Sequence, residues 1–292
     1  MRGAGRRSRP GRPDLPESET TMRIVVGIDG SDSALEAVRT AAAEAAERGA
    51  DLRIVHAFIW PLMHIDTRPA PLGPQGGGLR HQSERWLSDA ADTARYTAPE
   101  IPVETRLITG AAAAVLVEEA AEAQLVVVGD RGLGAISGLL VGSVAVAVAH
   151  RAACPVMVVK GPRRASGPVV VGIDGSAASE AALAAALVTA ELRKAPLVLA
   201  HVAGLDDLVN VPDMAALMRG HSLPVVEEVL VGDSAAAFVR HTTGARIVVV
   251  GSRGHGALTG LLLGSFSQYV LHHTRRDVLI VPAVPRTNGE DR

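Results

Sequence analysis

"VVGIDGS" at residues 25–31 recurs letter for letter at 170–176. Each copy closes a continuous apolar run, "MRIVVGI" at 22–28 and "VVVGI" at 169–173. Such runs read as strands buried on both faces, the pattern of a parallel sheet. A second stretch repeats downstream, "VVVGDRGLGAISGLLVGS" at 126–143 and "VVVGSRGHGALTGLLLGS" at 248–265. Units this far apart are whole domains, much larger than helical solenoid repeats. The chain therefore reads as a tandem duplication. A first domain at 22–160 and a second at 168–284 are joined by a polar Gly/Pro linker, 161–167, within "KGPRRASGP". Residues 1–21 and 285–292 flank them as an arm and a tail.

Composition narrows the function. At 48% hydrophobic and 21% charged residues the chain is globular, and 292 residues are enough for two domains. A net charge of −2 gives no reason to expect nucleic acid or an anionic membrane surface as partner. Only 2% of residues are aromatic, too few to stack along a single strand of nucleic acid. No apolar run reaches the roughly 18 residues of a membrane span. Cys154 is the sole cysteine, which excludes an internal disulfide and a cysteine-rich metal site; before "PVMVV" it reads as buried and inert. The arm "MRGAGRRSRPGRPDLPESETT" is basic, lacks the apolar core of a secretory signal, and reads as disordered. These features point to a cytoplasmic protein.

Strand and helix patterns alternate through the first half. After "MRIVVGI", "SALEAVRTAAAEAAERG" has apolar residues at helical spacing, with Gly49 as a stop. "LRIVHAF", "PVETRLI", "AQLVVVG" and "CPVMVVK" read as strands; "QSERWLSDAADTARYTA" and "AAAVLVEEAAEA" read as helices. "SVAVAVAHRAA" alternates like a strand, yet its leading serine and its place in the order favour a helix. The βαβαβαβαβ order predicts a doubly wound parallel sheet. In such sheets a ligand lies beyond the carboxyl ends of the strands where strand order reverses, here between strands one and four or one and three.

The glycine loop is neither a P-loop nor a dinucleotide fingerprint. It lacks G-x-x-x-x-G-K-[ST], and its G-x-x-G-x-G order follows strand four rather than strand one. It retains the chemistry common to both, a turn whose N–H groups can face an anion and a helix start whose dipole favours phosphate. The competing reading is a glycine-rich turn followed by an N-capping serine. Asp29 would accept hydrogen bonds from hydroxyls, hold Mg²⁺, or cap the next helix. Arg131 and Arg253 could pair with phosphate. His56 and His201, at strand ends, read as structural, and His150, His272 and His273 as surface or interface. No His/Asp/Glu cluster has metal-ligand spacing in sequence, and no G-x-S-x-G elbow is present.

The spacings Gly129-x2-Gly132-x9-Gly142-Ser143 and Gly251-x2-Gly254-x9-Gly264-Ser265 resemble the ATP-binding signature of the universal stress protein family. The two "VVGIDGS" strand ends match as well, as do His56-Ala57 and His201-Val202 at the ends of the second strands. The resemblance runs from Met22 to about Pro282. It implies two tandem α/β domains, each a doubly wound five-stranded parallel sheet, with ATP across the crevice between strands one and four. Asp29 and Asp174 then lie near the ribose or adenine, Gly27 and Gly172 where backbone approaches the base, and Ala57 and Val202 at the adenine. Gly129, Gly132, Gly142 and Ser143 match the ribose–phosphate loop, with Asp130, Arg131, Leu133, Gly134 and Ala135 wrapping the phosphates. Gly251, Gly254, Gly264 and Ser265 match it in the second half, with Ser252, Arg253, His255, Gly256 and Ala257 around them. Mg²⁺ would ride on the phosphates.

The resemblance further implies that the fifth strands pair, making the two halves an intrachain pseudo-dimer, and that the chain forms a homodimer. It implies a nucleotide-dependent regulator of stress response or dormancy. A slow ATPase or nucleotidyl-transfer enzyme of the same fold is the alternative, although the loops hold arginine but no lysine and no evident base. A partner-binding module without nucleotide would be expected to lose the glycines, and both copies keep them. The halves differ between strands two and three. His56 to Gly110 spans 54 residues, but His201 to Gly232 spans 31. The second half keeps a short helix, "PDMAALMRG", in place of "QSERWLSDAADTARYTA". A second site more open at the adenine end, and weaker, is expected.

Overall fold

The valine-rich runs become strands and the alanine-rich runs between them become helices. The computed structural model describes residues 22–58, 77–133, 141–203, 223–231, 234–254 and 263–283. The first half consists of β1 (Arg23–Ile28), α1 (Asp32–Arg48), β2 (Asp51–Phe58), α2 (Gly77–Thr97), β3 (Val103–Thr109), α3 (Ala112–Glu119), β4 (Leu125–Gly129), α4 (Ser143–Arg151) and β5 (Val156–Val159). The second half comprises β6 (Val169–Ile173), α5 (Ala177–Arg193), β7 (Leu197–Ala203), β8 (Val225–Val231), α6 (Ser234–His241), β9 (Ile247–Gly251), α7 (Ser265–His273) and β10 (Val278–Val281). The N-terminal arm, the tail and the short helix expected at "PDMAALMRG" lie outside the described residues.

Local signals account for the element ends. Ser31 caps α1 by accepting from the Ala34 N–H, and Gly49 ends it at φ +61°. The alternating "SVAVAVAH" does form helix α4. Ala145, Val148 and Ala149 are buried at helical spacing, and this face packs on the sheet while the other valines stay half exposed.

The strands form one sheet in the order β3-β2-β1-β4-β5-β10-β9-β6-β7-β8. Within each half all pairs are parallel, and the reversal falls between β1 and β4, and between β6 and β9. Alternate strand residues feed two apolar layers. Helices α1, α2 and α5 cover one face, and α3, α4, α6 and α7 cover the other. Among the described residues no helix is long and apolar enough to cross a membrane.

The two five-stranded sheets join where β5 and β10 pair antiparallel, with Met157 opposite Leu279. Each fifth strand thus covers the other's edge. At one end of the seam the Lys160 N–H donates to Asp277 Oδ1 at 2.8 Å. At the repeat-related positions, Pro282 has no N–H and Pro155 has no acceptor side chain, so the departure at Asp277 answers a donor present at one end alone.

A buried ionic cluster also spans the halves. Glu44 on α1 and Arg193 on α5 form an ion pair, both side chains 1% exposed. Arg48 and Arg163 add to it, and Arg163 reaches Glu47 at 2.6 Å. Burial alone would raise the Glu44 pKa; the guanidinium groups of Arg193, Arg48 and Arg163 outweigh it and hold the carboxyl below its usual range. Removing one partner of such a pair leaves an uncompensated buried charge. Glu44→Gln should therefore lower stability by about 3–5 kcal/mol, measured by denaturant unfolding; a loss below about 1 kcal/mol would show that the cluster does not hold the halves.

Asp277 behaves in the opposite way. Burial pushes its pKa from 3.8 up to about 6, although the Lys160 N–H, Arg193 and Arg163 favour its charged form and Glu44 opposes it. The folded chain then holds an extra proton between pH 3.8 and about 6, so this group's contribution to stability falls as pH rises through that window. Asp277→Asn, which keeps an acceptor for Lys160, should stabilise the protein by about 1–3 kcal/mol at pH 7.5. It should have little effect at pH 4. Thermal melts of both proteins at the two pH values test this, and an equal effect at both would refute it.

Candidate functional site

A cavity of about 320 Å³ opens where β1 and β4 part. Its floor is apolar, with Val55, Leu116, Val128, Val141 and Val144, and Asp29, Arg131 and Ser143 stand at its polar positions. Of the residues singled out from sequence in the first half, Gly27, Asp29, Ala57, Gly129, Arg131, Gly132, Gly142 and Ser143 line it. Leu133 is exposed beside it, and Gly134 and Ala135 lie outside the described residues. Asp130 does not line it. Instead its carboxylate accepts from Ser33 Oγ at 2.9 Å, its N–H donates to the Val159 carbonyl, and its carbonyl accepts from Gly142 N. Asp130 ties the loop to α1 and β5.

The glycines have identifiable neighbours. A Cβ at Gly129 would lie 2.9 Å from the backbone of Ser33, in the first turn of α1. At Gly132 it would lie 2.2 Å from Asp29 Oδ2, and at Gly27 2.6 Å from Leu116 Cδ1. Backbone packing demands glycine at 129, while at 132 and 27 a side chain would have to displace the Asp29 carboxylate or the Leu116 methyls. Gly142 differs, since a Cβ there would meet nothing nearer than 3.4 Å.

Asp29 is fully engaged. Oδ1 accepts from the N–H and hydroxyl of Ser31, at 3.0 and 2.6 Å, and Oδ2 accepts from Leu133 N at 2.8 Å. Ser31, not Asp29, caps α1. The carboxylate instead fastens the glycine loop to the turn after β1. Trp86 on α2 packs over that turn, its indole 2.2 Å from where a Cβ on Gly30 would sit, with Gly30 at φ +87°. His56 confirms its structural reading, for its Nδ1 lies 2.8 Å from the Ile28 carbonyl and its ring meets Trp86 edge-on at 5.3 Å.

The start of α4 faces the cavity without a side-chain cap. Gly142 occupies the cap position and Ser143 is the first helical residue, so the serine does not cap the helix. The first-turn N–H groups have no partner within the helix, and with the dipole they form an anion-binding end. Helix α3 also starts uncapped, with Ala112 at the cavity. Sequence reasoning missed Leu116 and Val144, although Leu116 follows Ala112 at helical spacing and Val144 directly follows the loop motif. Lys160 was missed too. It ends β5 near Asp130 and Arg131, and its Nζ donates to the Leu271 carbonyl at 2.5 Å. Burial lowers its pKa to about 8, against the pull of Asp130 and Asp277 and with the help of Arg131.

The second half keeps the loop's frame. A Cβ at Gly251 would lie 2.8 Å from the Ala178 backbone, and one at Gly254 2.5 Å from Asp174 Oδ2. Asp174 Oδ1 accepts from the N–H and hydroxyl of Ser176, as Asp29 does from Ser31. Ser252 donates its N–H to the Val281 carbonyl, and Gly264 caps α7 ahead of Ser265. Exposed Arg253 lies close enough to His150 on α4 to depress its pKa, behind the larger effect of burial. Val202 falls on β7; His255, Gly256 and Ala257 are outside the described residues. The adenine end was expected to be more open here. The loop and short helix on which that expectation rests lie outside the described residues; at Gly172, ring carbons of Phe238 and Phe266 lie 3.3 Å from a built Cβ.

The contact between Asp29 and Gly132 can be measured. Gly132→Ala should cost about 1–3 kcal/mol through overpacking against the carboxylate. In an Asp29→Ala background the same change should cost much less. A double-mutant cycle by denaturant unfolding reads the coupling, and additive effects would refute the contact.

With this geometry in hand, the chain can be placed among known proteins. The model of the universal stress protein family matches residues 20–160 and 206–282. Universal stress protein Rv2005c of Mycobacterium tuberculosis is 32% identical over 285 residues, covering 88% of this chain and 96% of its own. A universal stress protein of Mycolicibacterium smegmatis is 32% identical over 91% of this chain and 99% of its own. A crystal structure of a universal stress protein from Archaeoglobus fulgidus superposes over 90% of this chain and 98% of its own, with a TM-score of 0.71 at 18% identity, which supports the fold. The chain belongs to the universal stress protein family.

Proposed function

We propose that the first half binds ATP, with the base in the apolar cavity between β1, β4 and α3, and the phosphates at the uncapped start of α4. The observation that carries this reading is the join of an apolar cavity of about 320 Å³ to an uncapped helix N-terminus at Gly142 and Ser143. Arg131 stands at the same rim, 60% exposed, its Nε 3.4 Å from Asp130 Oδ2, and an exposed pair of this kind is weak enough for the guanidinium to turn towards phosphate.

Binding, not turnover, is the role we infer, and with it a nucleotide-dependent regulator of a stress response. Asp29 is the one carboxylate lining the described cavity, and hydrogen bonds from the protein already engage both its oxygens. It is poorly placed to act as a base or to hold Mg²⁺. Among the described residues no group of three or more His, Cys, Asp or Glu could hold a metal. The residues present do not fit a protein-held Mg²⁺, so any such ion would be carried by the nucleotide.

Gly142→Val tests the site, because the fold leaves room at this position that a bound phosphate would need. Titration with ATP, AMP and cAMP, followed calorimetrically and by Trp86 fluorescence, should show saturable binding to the wild-type chain. The variant should weaken it at least about tenfold, or 1.4 kcal/mol, with an unchanged circular dichroism spectrum. Equal affinities in the two folded proteins would refute the placement. Phosphate release at more than a trace rate would favour the enzyme reading.

A further inference from the structure

The two halves share a loop, but different side chains stand beside it. The positions on α3 and α4 that line the first cavity are Leu116 and Val144. Counted from the matching glycines Gly110 and Gly232, and Gly142 and Gly264, their counterparts are Phe238 on α6 and Phe266 on α7. In the first half, the nearest atoms to a Cβ built on Gly27 all belong to Leu116. In the second half, ring carbons of both phenylalanines lie 3.3 Å from a Cβ built on Gly172. The rings meet each other at 5.3 Å with a 53° tilt, within the range of a favourable aromatic pair. Phe238 is fully buried, and Phe266 packs against the same apolar layer.

We propose that Phe238 and Phe266 plug the crevice of the second half, so that the chain takes one nucleotide, in the first half. This rests on the reading of the first cavity as a nucleotide site. It also removes the argument that a retained glycine motif means a retained site. Gly251 is required by the backbone of Ala178 and Gly254 by the carboxylate of Asp174. Both would be favoured in a domain that binds nothing, because a side chain at 251 meets the α5 backbone and one at 254 must displace the Asp174 carboxylate. The side chains that decide occupancy are on the helices, outside the motif.

A base needs a slot beside the strand-one backbone at the point of strand reversal. In the first half Leu116 comes within 2.6 Å of a Cβ built on Gly27, nearer than either ring comes to Gly172, but it is one branched aliphatic side chain and a cavity remains beyond it. In the second, a ring from each of two helices closes on Gly172. Opening this pair would cost the aromatic contact and the burial of Phe238, several kcal/mol that a ligand would have to supply. The same two positions therefore act as a selector, aliphatic for an open crevice and aromatic for a closed one.

Nucleotide stoichiometry of the full chain tests this. ATP is titrated by equilibrium dialysis into the wild type, into Phe238→Leu/Phe266→Val, and into each with Gly142→Val added. The wild type should bind one equivalent and the double variant two. In the Gly142→Val background, where the first site is weakened at least about tenfold, opening the plug should add one tight equivalent. As the reciprocal test, Leu116→Phe/Val144→Phe should reduce the wild-type count to none while circular dichroism stays native. Two equivalents in the wild type would overturn the plug, as would no gain in a double variant with a native spectrum. If the double variant misfolds, the reciprocal variant decides: retained binding in that folded protein overturns the selector. A wild type that binds nothing, with one equivalent gained on opening the plug, would uphold the plug and refute the first-half site.

Discussion

The constraint on which each loop is built is the approach of a helix to the end of a strand. The first turn of α1 comes so close to β4 that residue 129 can carry no side chain, and α5 does the same to residue 251 on β9. Much else follows from this crossing. It sets the turn that links β1 to α1, and so the position of Asp29. Asp29 in turn holds Leu133 and excludes a side chain at residue 132. The loop is thereby pinned at its start, and the Gly142–Asp130 backbone bond pins its far end. Helix α4 is left to begin at the mouth of the crevice without a side-chain cap. A binding end of this kind needs no dedicated polar side chain, which suits a chain whose loop has no lysine.

Because this frame is made of backbone and short polar contacts, duplication reproduces it while side chains diverge around it. The first half ties Asp130 to Ser33; at the equivalent positions the second has Ser252 and Ala178, and backbone bonds from Ser252 to Val281 and from Gly264 to Ser252 close the described part of the loop. Lys160 meets Asp277 at one end of the seam, and prolines stand at the other. Such differences are available to a tandem chain and not to a homodimer of identical subunits, in which every change appears twice.

The fold was legible because its signals are local. Strands buried in the middle of a parallel sheet must be continuous apolar runs, and β1, β4 and β5 announce themselves that way, while the edge strand β3 shows by alternation; Ser31 and Gly49 mark the ends of α1. Even the alternating valines of α4 could be resolved by their place in the βα order. The site was legible in outline, since most of the motif residues do gather around one cavity. Their roles were less so. The spacing of Gly129 and Gly132 is the same whether a phosphate or the protein's own backbone lies against them, and only distances separate the two. The Glu44–Arg193 pair joins residues 149 apart, and no periodicity marks it. Phe238 and Phe266 read as ordinary core positions of amphipathic helices until the repeat is laid over the cavity.

The seam has consequences for how the halves communicate. The Lys160 ammonium sits on the Leu271 carbonyl, at the C-terminal end of α7, while its backbone N–H holds Asp277. One residue at the edge of the first half's loop thus bonds to a helix and to a strand of the second. Its electrostatic neighbours include Asp130 and Arg131 in the loop itself. On the other side of the seam, Arg253 influences His150 in the same manner. Each glycine loop therefore borders the final helix of the opposite half. A charge arriving at the first loop acts across the β5–β10 pairing on Lys160, which bonds the halves together. Where the second crevice is filled by its own side chains, that path runs in one direction, from the first half's loop to the second half's frame.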